Sequence, residues 1–146
     1  MDTPIPPPDG IEIRFLTDAS DIPLERLRWL YEGAGWWDEG CDDDWLKRLP
    51  SGSWCFAAAY DGDDIVGIGR AISDGVGDAY IQDVTVLLPY RHRGIARALV
   101  SAIVERLRAA GIDWIGIVAS PDAVPLYRDL GFAPMDGFIP MRLNHR

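Results

Sequence analysis

Arg91-His92-Arg93-Gly94-Ile95-Ala96 stands between a strand-like run, Tyr80 to Leu87, and a strongly periodic helix that reaches about Ala110. Such a junction suits a diphosphate. A glycine-containing turn that opens a helix aims unpaired backbone N–H groups and the positive end of the helix dipole at one point. Gly94 and Ala96 keep that turn free of bulky side chains, while Arg91, Arg93 and Arg97 put charge around it. At His92 and Ile95 the relevant group is the backbone N–H, and the imidazole can point to solvent. Arginine-rich helix starts are also common on solvated surfaces, so the pattern needs a second one beside it. Downstream lies Leu126-Tyr127-Arg128-Asp129-Leu130-Gly131-Phe132, which reads as a short helix closed by glycine and followed by an aromatic strand start.

The elements that would position these residues follow from hydrophobic period. Ile11 to Leu16 alternates as a half-buried strand does. Asp21 suits a helix N-cap and Pro23 a first turn, and Leu24, Leu27, Leu30 and Tyr31 recur at helical spacing until Gly33 and Gly35. A short helix over Asp43 to Leu49 is expected to end at Pro50. Trp54 to Tyr60 and Ile65 to Ile72 are strands joined by a turn with an Asp-Gly pair, Asp61-Gly62. After the loop, Ile95, Leu99, Ile103 and Leu107 make one apolar stripe, and Gly111 stops the helix. Trp114 to Ala119 reads as a buried strand parallel to Tyr80–Leu87, joined to it by the helix. A helix over Asp122 to Leu130 follows, and Phe132 to Met135 with Ile139 to Leu143 are expected as a closing strand pair.

Composition narrows the function classes. The chain has 146 residues, enough for one sizeable core, and 48% hydrophobic residues. Residues 1–10 are proline-rich and read as a loosely held tail, with a single domain over 11–146. No run approaches the ~20 apolar residues of a membrane span, and the start lacks signal-peptide character, so a cytoplasmic protein is expected. The net charge of −9 speaks against nucleic acid as a partner. It is compatible with a cationic one, since Asp38, Glu39, Asp42, Asp43 and Asp44 cluster beside Trp36 and Trp37. The same acids are equally suited to a solvated face, with Asp42 to Asp44 capping the helix at Trp45. Cys41 and Cys55 lack metal-ligand spacing, and His92 and His145 are the only histidines, so no metal site is expected.

Taken together, the strand, the Arg-x-x-Gly-x-Ala loop, the long helix, the short strand and the helix ending in Tyr-x-x-x-Gly-Phe resemble the acetyl-CoA-binding core of the GNAT-type N-acetyltransferase superfamily, over roughly Val66 to Leu143. More narrowly, Gly33-Ala34-Gly35-Trp36, Arg70 to Gly75 and Tyr80 to Val84 resemble a small single-domain group of bacterial and plastid type whose acceptors are diverse. The resemblance implies an α/β fold with a central mixed, mostly antiparallel sheet of about six to seven strands, a splayed parallel strand pair and flanking helices. Acetyl-CoA is the implied co-substrate, and a primary amine attacks its thioester directly. Main-chain groups of Val84, Thr85 and Val86 would hold the pantetheine arm and polarise the thioester. Tyr127 matches the tyrosine that protonates the departing thiolate, which a phenol of pKa about 10 can do for a thiol of ~8.5. Asp83, in the strand lining the thioester, is the first candidate for a general base, with a hydrogen-bonded structural role beside Arg70 as its alternative. Glu32 is the second, and Glu32, Trp36 and Trp37 would face the acceptor.

Two positions depart from the family pattern. Pro89 stands one residue late, with Leu88 in its place, and Ser120 stands where many members carry an asparagine that contacts the pantetheine arm; serine can make one such bond but not two. The expected acceptor is a small-molecule amine. A protein lysine or N-terminal amine is the alternative, and a non-catalytic acyl-CoA sensor is the alternative of another class. Dimerisation is common in the resembled family, so a homodimer is compatible with the chain.

Overall fold

The computed structural model describes residues 3–20 and 22–144 of the chain. Asp21, expected as a helix cap, and His145 lie outside them. The described elements run β1 (Ile11–Leu16), α1 (Leu24–Gly33), α2 (Asp43–Gly52), β2 (Cys55–Asp61), β3 (Asp64–Ser73), β4 (Asp78–Val86), α3 (Ile95–Ala109), β5 (Trp114–Ile117) and α4 (Val124–Asp129). Single 3-10 turns, Leu88–Tyr90 and Pro121–Ala123, precede α3 and α4.

The five strands form one sheet in the order β1-β2-β3-β4-β5, antiparallel except for the β4–β5 pair. A parallel pair needs a crossover, and α3 provides it. Helices cover both faces. On β2 the side chains of Cys55, Ala57 and Ala59 join the core beneath α3, while Phe56, Ala58 and Tyr60 join Leu27, Leu30, Tyr31 and Leu46 of α1 and α2. The stripe Ile95, Leu99, Ile103, Leu107 is buried throughout, as its spacing required. Close approach of α3 depends on glycine in β3. A Cβ on Gly67 would lie 3.2 Å from both Leu99 and Val86, and one on Gly69 3.1 Å from Ile103. The mouth of the phosphate-type loop is thereby pinned against the end of β4.

Two local expectations differ from the structure. Helix α2 runs through Pro50 to Gly52, because a proline so near the helix end costs only a last-turn hydrogen bond. The carboxylate of Asp42 caps this helix, accepting from the Trp45 N–H at 2.8 Å. At the N-terminus, Thr3 to Pro8 carry no helix or strand, yet the Ile5 N–H donates to Ser101 Oγ on α3 at 2.8 Å. The largest correction is at the other end. Residues 132–144 form no strand, so the sheet has five strands where six to seven were expected. A turn does form at Asp136-Gly137, with the Phe138 N–H donating to the Met135 carbonyl, but Pro134 and Pro140 each remove a donor from the flanking runs.

Candidate active site

Strand β4 carries an extra residue against β3. Ile68 faces Thr85 and Arg70 faces Gln82, so Gly69 alone opposes both Asp83 and Val84. Asp83 accommodates the bulge in the left-handed region, at φ 55°. On the other side of β4, pairing with β5 ends at Ile81↔Ile117. Beyond Ile81 the parallel strands part, and the stretch Val84-Thr85-Val86 has no strand beside it on the β5 side. Thr85 and Val86 are buried and Val84 is half-buried against the α3 core.

The loop that follows is held by its own residues. Arg91 turns inward: its Nε donates to the Val86 carbonyl at 2.8 Å, and its guanidinium reaches the Gly33 carbonyl of α1 at 3.5 Å. Arg97 pairs with Asp129 of α4 at 2.6 Å. The Arg93 guanidinium lies 5.3 Å from the Tyr90 ring centre, on an exposed residue. His92 at φ 62° and Gly94 at φ 88° both take left-handed backbone. That curl leaves the N–H groups of His92, Arg93, Gly94, Ile95, Ala96 and Arg97 without a hydrogen-bond partner among the described residues; the first donation back into the helix is Ala98 N–H to the Gly94 carbonyl. A Cβ built on Gly94 meets nothing within 4 Å. The donors therefore face open space at the positive end of a 15-residue helix.

Asp83 is the hub of a second cluster. Its Oδ2 accepts from Tyr31 Oη at 2.6 Å and from Arg70 Nε at 2.7 Å, with the Arg70 and Asp83 side chains only 16% and 20% exposed. Burial first, and then the adjacent Asp83 charge, push the Tyr31 phenol far above its ordinary range, so it remains a donor to the carboxylate. Tyr31 is a participant that the sequence reading assigned only to the core. Trp36 approaches Tyr31 edge-on, with ring centres 5.8 Å apart, and so stands near Asp83.

The other two residues expected at the acceptor side lie elsewhere. Glu32 is exposed and paired with Arg28 at 2.7 Å on the flank of α1. The Arg28 guanidinium lies 5.0 Å from the ring centre of Trp37. Trp37 and Arg28 line a shallow opening of about 480 Å³ together with Cys41 and Asp42 to Asp44.

Tyr127 is buried on α4, edge-on to Phe132 at 5.8 Å, and burial holds its phenol above the ordinary value. Its hydroxyl makes no hydrogen bond to any described residue, and Tyr127 lines a cavity of about 990 Å³ that also touches Tyr80, Trp114, Ile117 and the segment after Phe132. Ser120 is exposed just past β5, its carbonyl accepting from Ala123 N–H at 3.0 Å. Among the described residues, no group of three or more His, Cys, Asp or Glu side chains is arranged to hold a metal ion. No described helix is long and apolar enough to cross a membrane.

Residues 17–132 match the Acetyltransferase (GNAT) family. This chain is a GNAT acetyltransferase. Among its relatives, this acetyltransferase is 35% identical to an uncharacterized N-acetyltransferase, ycf52, of Pyropia yezoensis over 133 residues, covering 85% of this chain and 74% of the other. It is 40% identical to the chloroplastic serotonin N-acetyltransferase 2 of Oryza sativa subsp. japonica, over 47% of this chain and 34% of that protein. A GNAT family protein from Streptococcus pneumoniae superposes with a TM-score of 0.73 at 27% identity, over 93% of this chain and 99% of that one. A probable acetyltransferase of Staphylococcus aureus shares the fold at 20% identity, with a TM-score of 0.77 and coverage of 92% and 99%.

Proposed function

We propose that this acetyltransferase moves an acetyl group from acetyl-CoA to the primary amine of a small molecule. The observation that carries the reading is the row of free N–H groups from His92 to Arg97, opening beside a β4 edge that β5 has left. The first fits a diphosphate and the second an amide-rich arm, which can pair with β4 as a strand would. Bound there, acetyl-CoA supplies the acetyl group as a thioester whose thiolate can leave.

The chain's own residues then have limited tasks. Main-chain groups of Val84, Thr85 and Val86 on the side that β5 has left, other than the Val86 carbonyl held by Arg91, orient the arm and draw charge from the acyl carbonyl. The amine nitrogen forms its bond to the acyl carbon as the carbon–sulfur bond breaks, and Tyr127 Oη gives its proton to the sulfur. Burial keeps that proton in place at neutral pH. The proton lost by the amine goes to Asp83 Oδ1, the carboxylate oxygen that neither Tyr31 nor Arg70 occupies, directly or through water. Trp36, exposed and edge-on to the buried Tyr31, would flank an organic cation on that side.

Names among the relatives include a serotonin N-acetyltransferase and, in Glycine max, a histone acetyltransferase, so small amines and peptides belong in one test. Release of CoA thiol is measured with separate pools of small amines and lysine peptides. Release with the amine pool alone is expected. Release with peptides alone would move the acceptor to a protein, and acetyl-CoA binding without release in either pool would favour a sensor.

A further inference from the structure

Asp83 is held in a way that a purely structural aspartate does not need. It sits inside a strand, on a bulge opposite Gly69, with left-handed backbone at φ 55°. Non-glycine residues keep that conformation where their surroundings over-determine it, and such places concentrate at functional sites. Two donors do the holding. Tyr31 Oη at 2.6 Å and Arg70 Nε at 2.7 Å converge on one oxygen, Oδ2. An arginine that serves an ion pair alone commonly engages both carboxylate oxygens with its fork. Here Arg70 meets the carboxylate through Nε, and Oδ1 accepts from no described residue.

Each donor is fixed in turn from another element. Arg70 Nη1 donates to Ser53 Oγ at 3.4 Å, and Ser53 Oγ donates to the Leu49 carbonyl of α2 at 2.6 Å. The Tyr31 ring is 1% exposed and stands edge-on to two indoles, Trp36 at 5.8 Å and Trp45 at 5.1 Å. Its carbonyl accepts from the Trp36 N–H at 2.9 Å. Packing against Leu27, Leu30 and Leu46 would be served equally by a phenylalanine, so the hydroxyl has no task in the core. Its task is at Asp83. A carboxylate mounted rigidly from α1, α2 and β3 with one open lone pair is what proton abstraction at a fixed point requires.

We propose that Tyr31 and Arg70 are positioning residues for acetyl transfer, locking Asp83 so that Oδ1 alone is presented to the acceptor amine. The inference rests on the reading that Asp83 takes the amine proton. In that step the nitrogen bonds to the acyl carbon, its N–H proton passes to Oδ1 directly or through water, and the carbon–sulfur bond breaks as Tyr127 protonates the sulfur. Asp83 then gives its proton to water and Tyr127 recovers one, so the enzyme is returned unchanged. Both fixed hydrogen bonds land on Oδ2 and survive protonation at Oδ1. Tyr31 remains a donor throughout, because burial and the Asp83 charge both oppose loss of its proton.

Release of CoA thiol is measured for the full chain with whichever acceptor pool supports it, and urea unfolding checks that each variant is folded. Asp83→Asn, which tolerates the left-handed backbone, should lower kcat about a hundredfold. Tyr31→Phe, which keeps the ring in place, should lower kcat about tenfold with the KM of the acceptor and acetyl-CoA affinity unchanged. Added to Asp83→Asn, the same substitution should cost nothing more, since a residue that acts through Asp83 has nothing left to position. Arg70→Lys should retain more turnover than Arg70→Gln; if the latter fails to fold, the Tyr31 series carries the test. Slow Asp83→Asn with parental kcat in Tyr31→Phe, or losses that multiply in the double variant, would overturn the positioning role and leave the base in place. Parental kcat in Asp83→Asn, or a parent that releases thiol with neither pool, would overturn the base and the positioning role together.

Discussion

The loop before α3 and the segment after α4 both leave backbone groups unpaired, and they differ in everything else. Behind the loop the apolar side chains of α3 are satisfied: Ile95, Leu99 and Ile103 are completely or almost completely buried, while the loop's N–H donors have no partner among the described residues. After Phe132 the apolar side chains themselves look outward. Free polar donors above a complete core make a site for a polar ligand. Free polar groups with free apolar groups make a site for more protein.

Substitutions at the two places should separate these cases, beginning with the core that carries the loop. Leu99→Ala should cost about 3 kcal/mol in urea unfolding, as large-to-small changes at fully buried sites do. A cost under ~1 kcal/mol would mean that α3 does not rest on Gly67 as described. Next in size is Tyr127→Phe, which should lower kcat about a hundredfold with acetyl-CoA affinity little changed. Unchanged turnover would remove the phenol from the reaction. Gly94→Ala places a methyl group on left-handed backbone and beside the donor row, so about 1 kcal/mol of stability and roughly tenfold in acetyl-CoA affinity should be lost together. Loss of stability alone would detach the glycine from binding.

A smaller, pH-dependent difference belongs to the packed half. Burial pushes the Cys55 thiol up to about 11, with the Arg106 charge opposing part of the rise. A group raised in the folded state favours folding fully below its unfolded value of ~8.5, and that contribution is lost as pH climbs toward 11. Chemical unfolding across pH 8 to 11 should show this decline in the parent and a shallower one in Cys55→Ala.

Much of this architecture is legible in the residues because it rests on local pattern. The α3 stripe, the Asp61-Gly62 hairpin and the strand-loop-helix order need no knowledge of distant partners. The closing strand pair expected after Phe132 fails because apolar side chains record only a preference, whereas Pro134 and Pro140 each remove a backbone donor from the flanking runs. The Tyr31–Asp83–Arg70 cluster joins three elements, and the oddity of an aspartate within a strand is its one local signal. Arg91 carries another lesson. Its charge reads as a phosphate ligand in sequence, while in the fold its guanidinium fastens the loop to Val86 and α1.

The central claim is that the donors from His92 to Arg97 hold the diphosphate of acetyl-CoA, and calorimetric titration of acetyl-CoA into the parent and Gly94→Val tests it most directly. The parent should bind one equivalent per chain in the ~1 μM to 1 mM range usual for enzyme substrates, and the variant should remain folded with binding weakened at least tenfold. Absence of binding by the parent, or equal affinity in a folded Gly94→Val, would contradict it.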